Sequence, residues 1–147
     1  MTIPARALAL IKQFEGFSAD IYICPAGYET IGYGHVVRAG EAFFEGITEV
    51  WAEQLLREDV RVAEAAVQRY ITVPLNENQF GALVSFTFNL GAGALQRSTL
   101  RRVINRGEHG DVPHQLSRWV YAGGRKLPGL IRRRAAEGTL YMLSARE

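Results

Sequence analysis

The sequence predicts an α+β fold in which helices dominate and a small antiparallel sheet lies near the amino terminus. Residues 17–38 are rich in strand formers and are punctuated by proline and glycine, whereas the segments on either side repeat apolar residues at helical spacing. A length of 147 residues, 48% of them hydrophobic, fits one domain. We expect this domain, residues 1–147, to have two lobes: a small sheet lobe over about 15–48, and a helical lobe over about 70–147 plus the amino-terminal helix.

Two helices are predicted in the amino-terminal half. Pro4 suits the first turn of a helix that ends at Glu15, because Gly16 is a typical residue after a helix end. Thr48 is a typical N-cap for a long helix that continues to Tyr70 and is expected to join the two lobes.

The carboxyl-terminal half is predicted to be helical throughout. An apolar helix runs from Asn76 to Leu90, and Gly91 and Gly93 are expected to break it. Further helices are predicted at about 95–105, 112–119 and 129–143, the last one after a loop at 123–124.

Charge is distributed unevenly along the chain. Residues 1–95 contain six Lys+Arg and 11 Asp+Glu, whereas residues 96–134 contain ten and two. A basic segment of this density favours an anionic polymer as partner, either a nucleic acid or an acidic cell-envelope polymer. A solvated cationic surface without a specific ligand is an equal alternative at this point.

Cys24 is the only cysteine, which excludes an internal disulfide and a cysteine-rich metal site. The apolar run near the amino terminus contains Arg6 and is followed by Lys12, a pattern that differs from a secretion signal. No stretch approaches the roughly 18 apolar residues of a membrane span. We therefore expect a protein that neither exports itself nor inserts into a membrane.

The segment that carries chemistry begins at the predicted end of the first helix and reads EGFSADIYICPAGYETIGYGH. It places Glu15 at a helix carboxyl terminus, then Cys24, Thr30 and His35. The negative end of the helix dipole opposes ionisation of Glu15, and the flanking phenylalanines can desolvate it. Both effects favour a protonated general acid. From position alone, a solvated surface glutamate stays an alternative.

This segment resembles the active-site signature of phage-type lysozymes, glycoside hydrolase family 24. That signature is Glu, eight residues, Asp or Cys, five residues, Thr, and it is matched here by Glu15, Cys24 and Thr30. The run at residues 30–35 that accompanies the signature is also present. Three further segments are similar to lambdoid endolysins, so that the resemblance covers nearly the whole chain: residues 79–91, 98–105 and 129–143.

The resemblance implies hydrolysis of the β-1,4 bond between N-acetylmuramic acid and N-acetylglucosamine, without a cofactor or a metal. Glu15 would protonate the leaving oxygen, and Cys24 and Thr30 would assist the attack of water. Many relatives have aspartate where this chain has Cys24. A free thiol has a pKa of about 8.5, so Cys24 requires a nearby cation or hydrogen-bond donors. Asp20 is a possible substitute carboxylate, at a position that the family leaves variable.

Four residues are expected to bind the substrate. By motif matching, Phe88 is a platform for the sugar, with core packing as its alternative, and Asn89 binds acetamido groups. Gly34 admits the saccharide close to the backbone. Arg132–Arg134 span about one helical turn and cannot share a face. Arg133 is our candidate from this run, and one of the three is expected to pair with Glu15 across a cleft.

Two other functions compete with a lysozyme. The first is a thiol-dependent cell-wall peptidase or amidase that uses Cys24 and His35, although the family places its histidine as a structural hydrogen-bonding residue behind the sheet. The second is a non-catalytic basic binding module. The resemblance itself implies a monomer that acts on peptidoglycan glycan strands and not on nucleic acid. It also implies that the protein stays in the host cytoplasm until a holin or similar protein gives it access to the wall.

Overall fold

The computed structural model describes residues 1–144, which divide into two compact units. One unit consists of residues 12–61, and the other of residues 1–11 and 62–144. Helix α1 (Ala5–Glu15) and helix α2 (Glu49–Tyr70) each contribute residues to both units. The predicted α+β class, with helices dominating, is confirmed.

The unit of residues 12–61 contains a three-stranded antiparallel sheet in the order β1-β2-β3. Its register places Tyr22 opposite Thr30 and Ile31 opposite His35. The strands are β1 (Ser18–Ile23), β2 (Glu29–Gly32) and β3 (His35–Val36). The core of this unit is apolar and consists of Ile31, Tyr33, Phe43, Ile47, Ala52, Leu55, Leu56 and Val60.

The predicted ends of α1 and α2 are confirmed. Helix α1 ends at Glu15 and is followed by Gly16 at φ +74°, a conformation that glycine adopts without a steric cost. The N–H of Trp51 donates to Thr48 Oγ1 at 3.1 Å, so Thr48 is the N-cap of α2.

The other unit is built around α3 (Glu77–Leu90), in which nine residues are buried. Asn76 and Gln79 form a reciprocal capping box at its start. The helices that follow are α4 (Ala92–Arg97), α5 (Thr99–Asn105), α6 (Val112–Ser117) and α7 (Pro128–Met142), with a 3₁₀ turn at His109–Asp111.

Three features of this half differ from the sequence-based expectations. Gly93 does not break a helix but lies inside α4, and Gly91 alone follows the end of α3. The single helix predicted at 95–105 is two helices, because Ser98 has extended backbone and its hydroxyl caps α5 by accepting from the N–H of Arg101 at 2.9 Å. Helix α6 also ends two residues earlier than expected, at Ser117.

The segment predicted as a loop at 123–124 is instead the turn of a β-hairpin. Strands β4 (Tyr121–Ala122) and β5 (Arg125–Lys126) pair in antiparallel fashion. Gly123 and Gly124 have φ values of +58° and +76°, and two consecutive positive φ angles are what a type I′ hairpin turn requires. Within residues 1–144, none of the helices is long and apolar enough to cross a bilayer.

Candidate active site

Glu15 is the last residue of α1 and is partly buried. The turn between β2 and β3 lies directly against its carboxyl group. A Cβ built on Gly34, which has φ +81°, would lie 2.9 Å from Glu15 Oε1. This separation is shorter than real Cβ contacts allow, so any side chain at position 34 would require the Glu15 carboxyl group or the turn to shift.

The end of α1 is also held by Lys12. Its ammonium pairs with Glu53 of α2, and this hydrogen bond lowers the pKa of Glu53. The same ammonium lies 5.6 Å from the centroid of the Tyr33 ring, and the Phe17 ring is 5.6 Å from that of Tyr33. An ion pair and an aromatic contact therefore fix the helix end that carries Glu15.

Cys24 begins the turn that joins β1 to β2. Its N–H donates to the Tyr28 carbonyl at 2.9 Å, and its carbonyl accepts from the Gly27 N–H at 2.8 Å. The pKa of the Cys24 thiol is lowered, chiefly by the backbone N–H of Tyr28 and next by the Thr30 hydroxyl, with smaller contributions from Ala26 and Gly27. Hydrogen-bond donors that favour the thiolate are therefore present around this sulfur.

Thr30 is buried on β2, and its hydroxyl donates to the Tyr28 carbonyl at 3.0 Å. Because a hydroxyl has one hydrogen, it can donate to that carbonyl or to the Cys24 sulfur, but not to both at once. Asp20, by contrast, is exposed on β1.

Tyr22 is a residue of this region that sequence reasoning missed. Its pKa is raised by burial and then by the negative charges of Glu15 and Cys24, so its hydroxyl is within electrostatic reach of both groups. No local sequence signal identifies it, because its position opposite Thr30 depends on the register of the folded sheet.

His35 is 2% exposed and is held at both ring nitrogens. Nδ1 lies 2.8 Å from Asp59 Oδ2, and Nε2 lies 3.0 Å from Glu41 Oε1. Two carboxylates therefore occupy the two nitrogens that a Cys24–His35 pair would need. This arrangement agrees with a structural hydrogen-bonding role for His35 and argues against the thiol-dependent alternative.

The ionisation of this cluster follows from burial and from the hydrogen bonds. Burial opposes the charged form of His35, but Glu41 and Asp59 outweigh it and raise the pKa of His35. Burial also raises the pKa of Asp59, against the effect of His35. The pKa of Glu41 is lowered because the backbone N–H of Arg38 and the imidazole outweigh its desolvation.

Phe88 and Asn89 lie at the end of α3, and both are partly exposed, unlike the completely buried Phe86. Part of the Phe88 side chain is therefore accessible to a ligand. Asn89 Oδ1 accepts a hydrogen bond from Arg134 Nη2 at 2.7 Å.

The three consecutive arginines of α7 do not share one face of the helix, as predicted. Arg132 is exposed, whereas Arg133 and Arg134 are 4% and 1% exposed. Both buried guanidinium groups lie beside Glu137, which is fully buried. The Nε atoms of Arg134 and Arg133 are 2.7 Å from Glu137 Oε1 and 3.4 Å from Glu137 Oε2, respectively. The Ser85 hydroxyl donates to Oε2 at 2.6 Å.

Glu137 and Ser85 are two further residues that sequence reasoning missed. The signal for Glu137 is its spacing of three and four residues after two arginines on one helix. Among residues 1–144, no group of three or more His, Cys, Asp or Glu side chains is arranged to hold a metal ion.

Comparisons with known proteins give the same family throughout. A family profile described as Phage lysozyme matches residues 12–137. The endolysin of Acyrthosiphon pisum secondary endosymbiont phage 1 is 39% identical, over 96% of this chain and 98% of that protein. The chain belongs to the phage lysozyme family. The expectation of a lysozyme-type hydrolase is thereby confirmed.

Solved structures agree with this assignment. The endolysin from Escherichia coli O157:H7 phage FAHEc1 has a TM-score of 0.87 at 36% identity, over 97% of this chain and 94% of that one. The muramidase domain of SpmX from Asticaccaulis excentricus also has a TM-score of 0.87 at 36% identity, over 97% of this chain and 99% of that one. The lysozyme spans about half the length of two further relatives, the endolysins of Bacillus phages B103 and PZA. These comparisons support neither a peptidase nor a non-catalytic binding module.

Proposed function

We propose that this lysozyme is an endolysin that cleaves the β-1,4 bond between N-acetylmuramic acid and N-acetylglucosamine in peptidoglycan, with Glu15 as the general acid. The observation that carries the proposal is the close approach of the Gly34 backbone to the Glu15 carboxyl group. The acid is the last residue of α1. Gly34 has no side chain that would keep a saccharide away from this carboxyl group.

In the proposed reaction, the Glu15 carboxyl group gives its proton to the glycosidic oxygen as the bond from that oxygen to C1 of the muramic acid breaks. Positive charge develops on the sugar ring. A water molecule then forms the new bond to C1 and loses a proton to the Cys24 thiolate. The Thr30 hydroxyl positions this water. The hydrogen bonds that lower the pKa of Cys24 support its role as the proton acceptor.

The proposal gives substrate-binding roles to three residues. Gly34 admits the sugar to the backbone, and the partly exposed ring of Phe88 offers it a platform. Asn89 binds an acetamido group through its amide. Arg133, which is 4% exposed and lies beside Glu137, has no contact with the substrate in this proposal.

The experiment is a comparison of Glu15→Gln with Glu45→Gln, an exposed glutamate of the same unit. Loss of a general acid costs about two to four orders of magnitude in rate. We expect that loss of wall-lysing activity for Glu15→Gln alone, with circular dichroism unchanged in both variants. Full activity of a folded Glu15→Gln variant would exclude the proposed mechanism.

The role of Cys24 has its own test in the same assay. We expect Cys24→Asp to be active, because it restores the carboxylate of many relatives, and Cys24→Ala to be severely impaired. An alanine variant with full activity would show that the sulfur takes no part in the reaction.

We also propose that the lysozyme acts as a monomer and waits in the host cytoplasm until a holin or similar protein opens the membrane. The name endolysin, which several relatives carry, supports an enzyme that is made inside the host cell. Expression in a bacterial host should leave cells intact until chloroform permeabilises the membrane. Lysis without permeabilisation would contradict this delivery route.

A further inference from the structure

Glu137 is an acid with no exposed surface that lies on α7 between two arginines and a serine. An ionised carboxylate in such a place is costly unless partners surround it. Here Ser85 donates to Oε2 at 2.6 Å, and Arg134 Nη2 donates to the same oxygen at 3.1 Å. The packing of α7 against α3 therefore contains a buried ion pair that the catalytic proposal does not use.

One nitrogen of Arg134 links this pair to the candidate substrate residue. Arg134 Nη2 carries two hydrogens. It donates to Glu137 Oε2 and also to Asn89 Oδ1, at 2.7 Å. Because the guanidinium group is planar, binding to Glu137 fixes the direction in which the second hydrogen points. The guanidinium carbon of Arg134 also lies over the Phe86 ring, 5.3 Å from its centroid, in a cation–π contact.

This contact decides which way the Asn89 amide faces. Arginine only donates hydrogen bonds, so the amide must present its oxygen to Arg134 and direct its NH₂ group elsewhere. Asn89 is partly exposed, whereas Arg134 and Glu137 are buried. The amide is thus anchored by its oxygen from the interior.

We propose that Glu137 and Arg134 are positioning residues that hold the Asn89 NH₂ group in the orientation that donates to a carbonyl oxygen of the substrate's acetamido group. The proposal rests on the proposed function, because it assumes that Asn89 binds the glycan. Neither Glu137 nor Arg134 touches the substrate in this account. Their effect is on affinity and passes through Asn89 alone.

A double-mutant cycle on Glu137→Gln and Asn89→Ala tests this dependence. Each variant is made in the Glu15→Gln background, and its Kd for a soluble tetrasaccharide of alternating N-acetylglucosamine and N-acetylmuramic acid is measured by calorimetry. We expect each single change to weaken binding by about two- to tenfold, the value of one hydrogen bond. We expect the double variant to bind no more weakly than Asn89→Ala.

With Glu15 intact, we expect Glu137→Gln to raise KM and leave kcat unchanged. Glu64→Gln is the matched control, since Glu64 is also buried in this unit and accepts from the Ile3 N–H at 2.6 Å. We expect it to lower the unfolding temperature without a change in KM. If Glu137→Gln does not fold, Arg134→Lys replaces it, because lysine keeps the charge beside Glu137 but lacks the planar group.

Additive effects of Glu137→Gln and Asn89→Ala, or an unchanged Kd in the single Glu137 variant, would overturn the positioning role. These results differ from a failure of the proposed function. In that case the parent Glu15→Gln protein would bind no tetrasaccharide, and the protein with Glu15 intact would release no reducing-end muramic acid.

Discussion

At the scale of single residues, the contact between Gly34 and Glu15 gives a prediction about the activity of the site. A methyl group added to Gly34 would meet Glu15 Oε1 at 2.9 Å and would have to displace the carboxyl group or the turn. Gly107 has nearly the same backbone conformation, φ +79°, but a Cβ there would meet nothing within 4 Å. Alanine variants at the two positions therefore share the backbone strain, but only the variant at Gly34 also disturbs the contact with Glu15.

We expect Gly34→Ala and Gly107→Ala each to lose about 1–2 kcal/mol of unfolding free energy, the cost of a positive φ for an ordinary residue. Only Gly34→Ala should also lose most of its lytic activity, because it disturbs Glu15. Urea unfolding and a turbidity assay on cell walls measure the two effects. Equal activity of the two variants would show that the Gly34 contact has no catalytic importance.

A second prediction at this scale concerns His35 and the pH dependence of the free energy of unfolding. Its pKa is raised in the folded protein by Glu41 and Asp59, against the effect of burial. A group of this kind stabilises the fold fully below its unfolded pKa, and this stabilisation is lost as the pH rises through its folded pKa. Above neutral pH, the free energy of unfolding should therefore decrease.

The measurement is urea unfolding of the wild type and of His35→Gln between pH 6 and pH 10. The wild type should become less stable across this range, whereas the variant should lack that dependence and be about 3–5 kcal/mol less stable at pH 6, as when one partner of a buried pair is removed. Parallel pH profiles for the two proteins would contradict the assignment of an imidazolium at His35.

At the scale of secondary-structure elements, α3 depends on its amino-terminal cap. Asn76 Oδ1 accepts from the Gln79 N–H at 2.8 Å, and Gln79 Oε1 accepts from the Asn76 N–H at 2.8 Å. Asn76→Ala should lower the unfolding free energy by about 1 kcal/mol, whereas Asn76→Asp, which also caps, should be near wild type. Chemical unfolding measures both, and equal losses would show that the cap contributes nothing.

The elements that could be predicted from the sequence are those with local signals. Thr48 caps α2, Gly16 follows α1, and the capping residues at 76 and 79 precede an apolar run, so these helices begin and end where expected. The division of one expected helix at Ser98 could not be predicted, because the apolar spacing continues across it and the cap depends on an extended backbone at one residue.

The same distinction applies to the candidate site. Glu15, Cys24 and Thr30 lie within 16 residues of one another, and a spacing motif identifies them. Asp59 and Glu137 act through tertiary contacts, with His35 and with Ser85, over separations of 24 and 52 residues. No sequence periodicity reports these long-range contacts, which arise only when a strand or a helix packs against another element.

At the scale of the whole molecule, charge separates between the two units. Residues 12–61 contain four Lys+Arg and nine Asp+Glu, whereas residues 1–11 and 62–144 contain 12 and five. An intact wall carries many peptide carboxylates, and attraction to a cationic surface is screened by salt.

Raising the salt concentration should therefore slow the lysis of intact walls more than the cleavage of a short oligosaccharide without peptides. Replacing the exposed pair Arg125 and Lys126 with glutamine should reduce that difference. Initial rates on the two substrates over a series of NaCl concentrations provide the measurement. An identical salt dependence for both substrates would show that the cationic surface takes no part in binding the wall.

Mass spectrometry of the fragments released from purified peptidoglycan tests the central claim most directly. The wild type should release muropeptides that end in reducing N-acetylmuramic acid, with their peptide stems intact, and folded Glu15→Gln should release almost none. Cut peptide stems, or the same fragments from Glu15→Gln, would contradict the assignment of Glu15 as the acid of a muramidase.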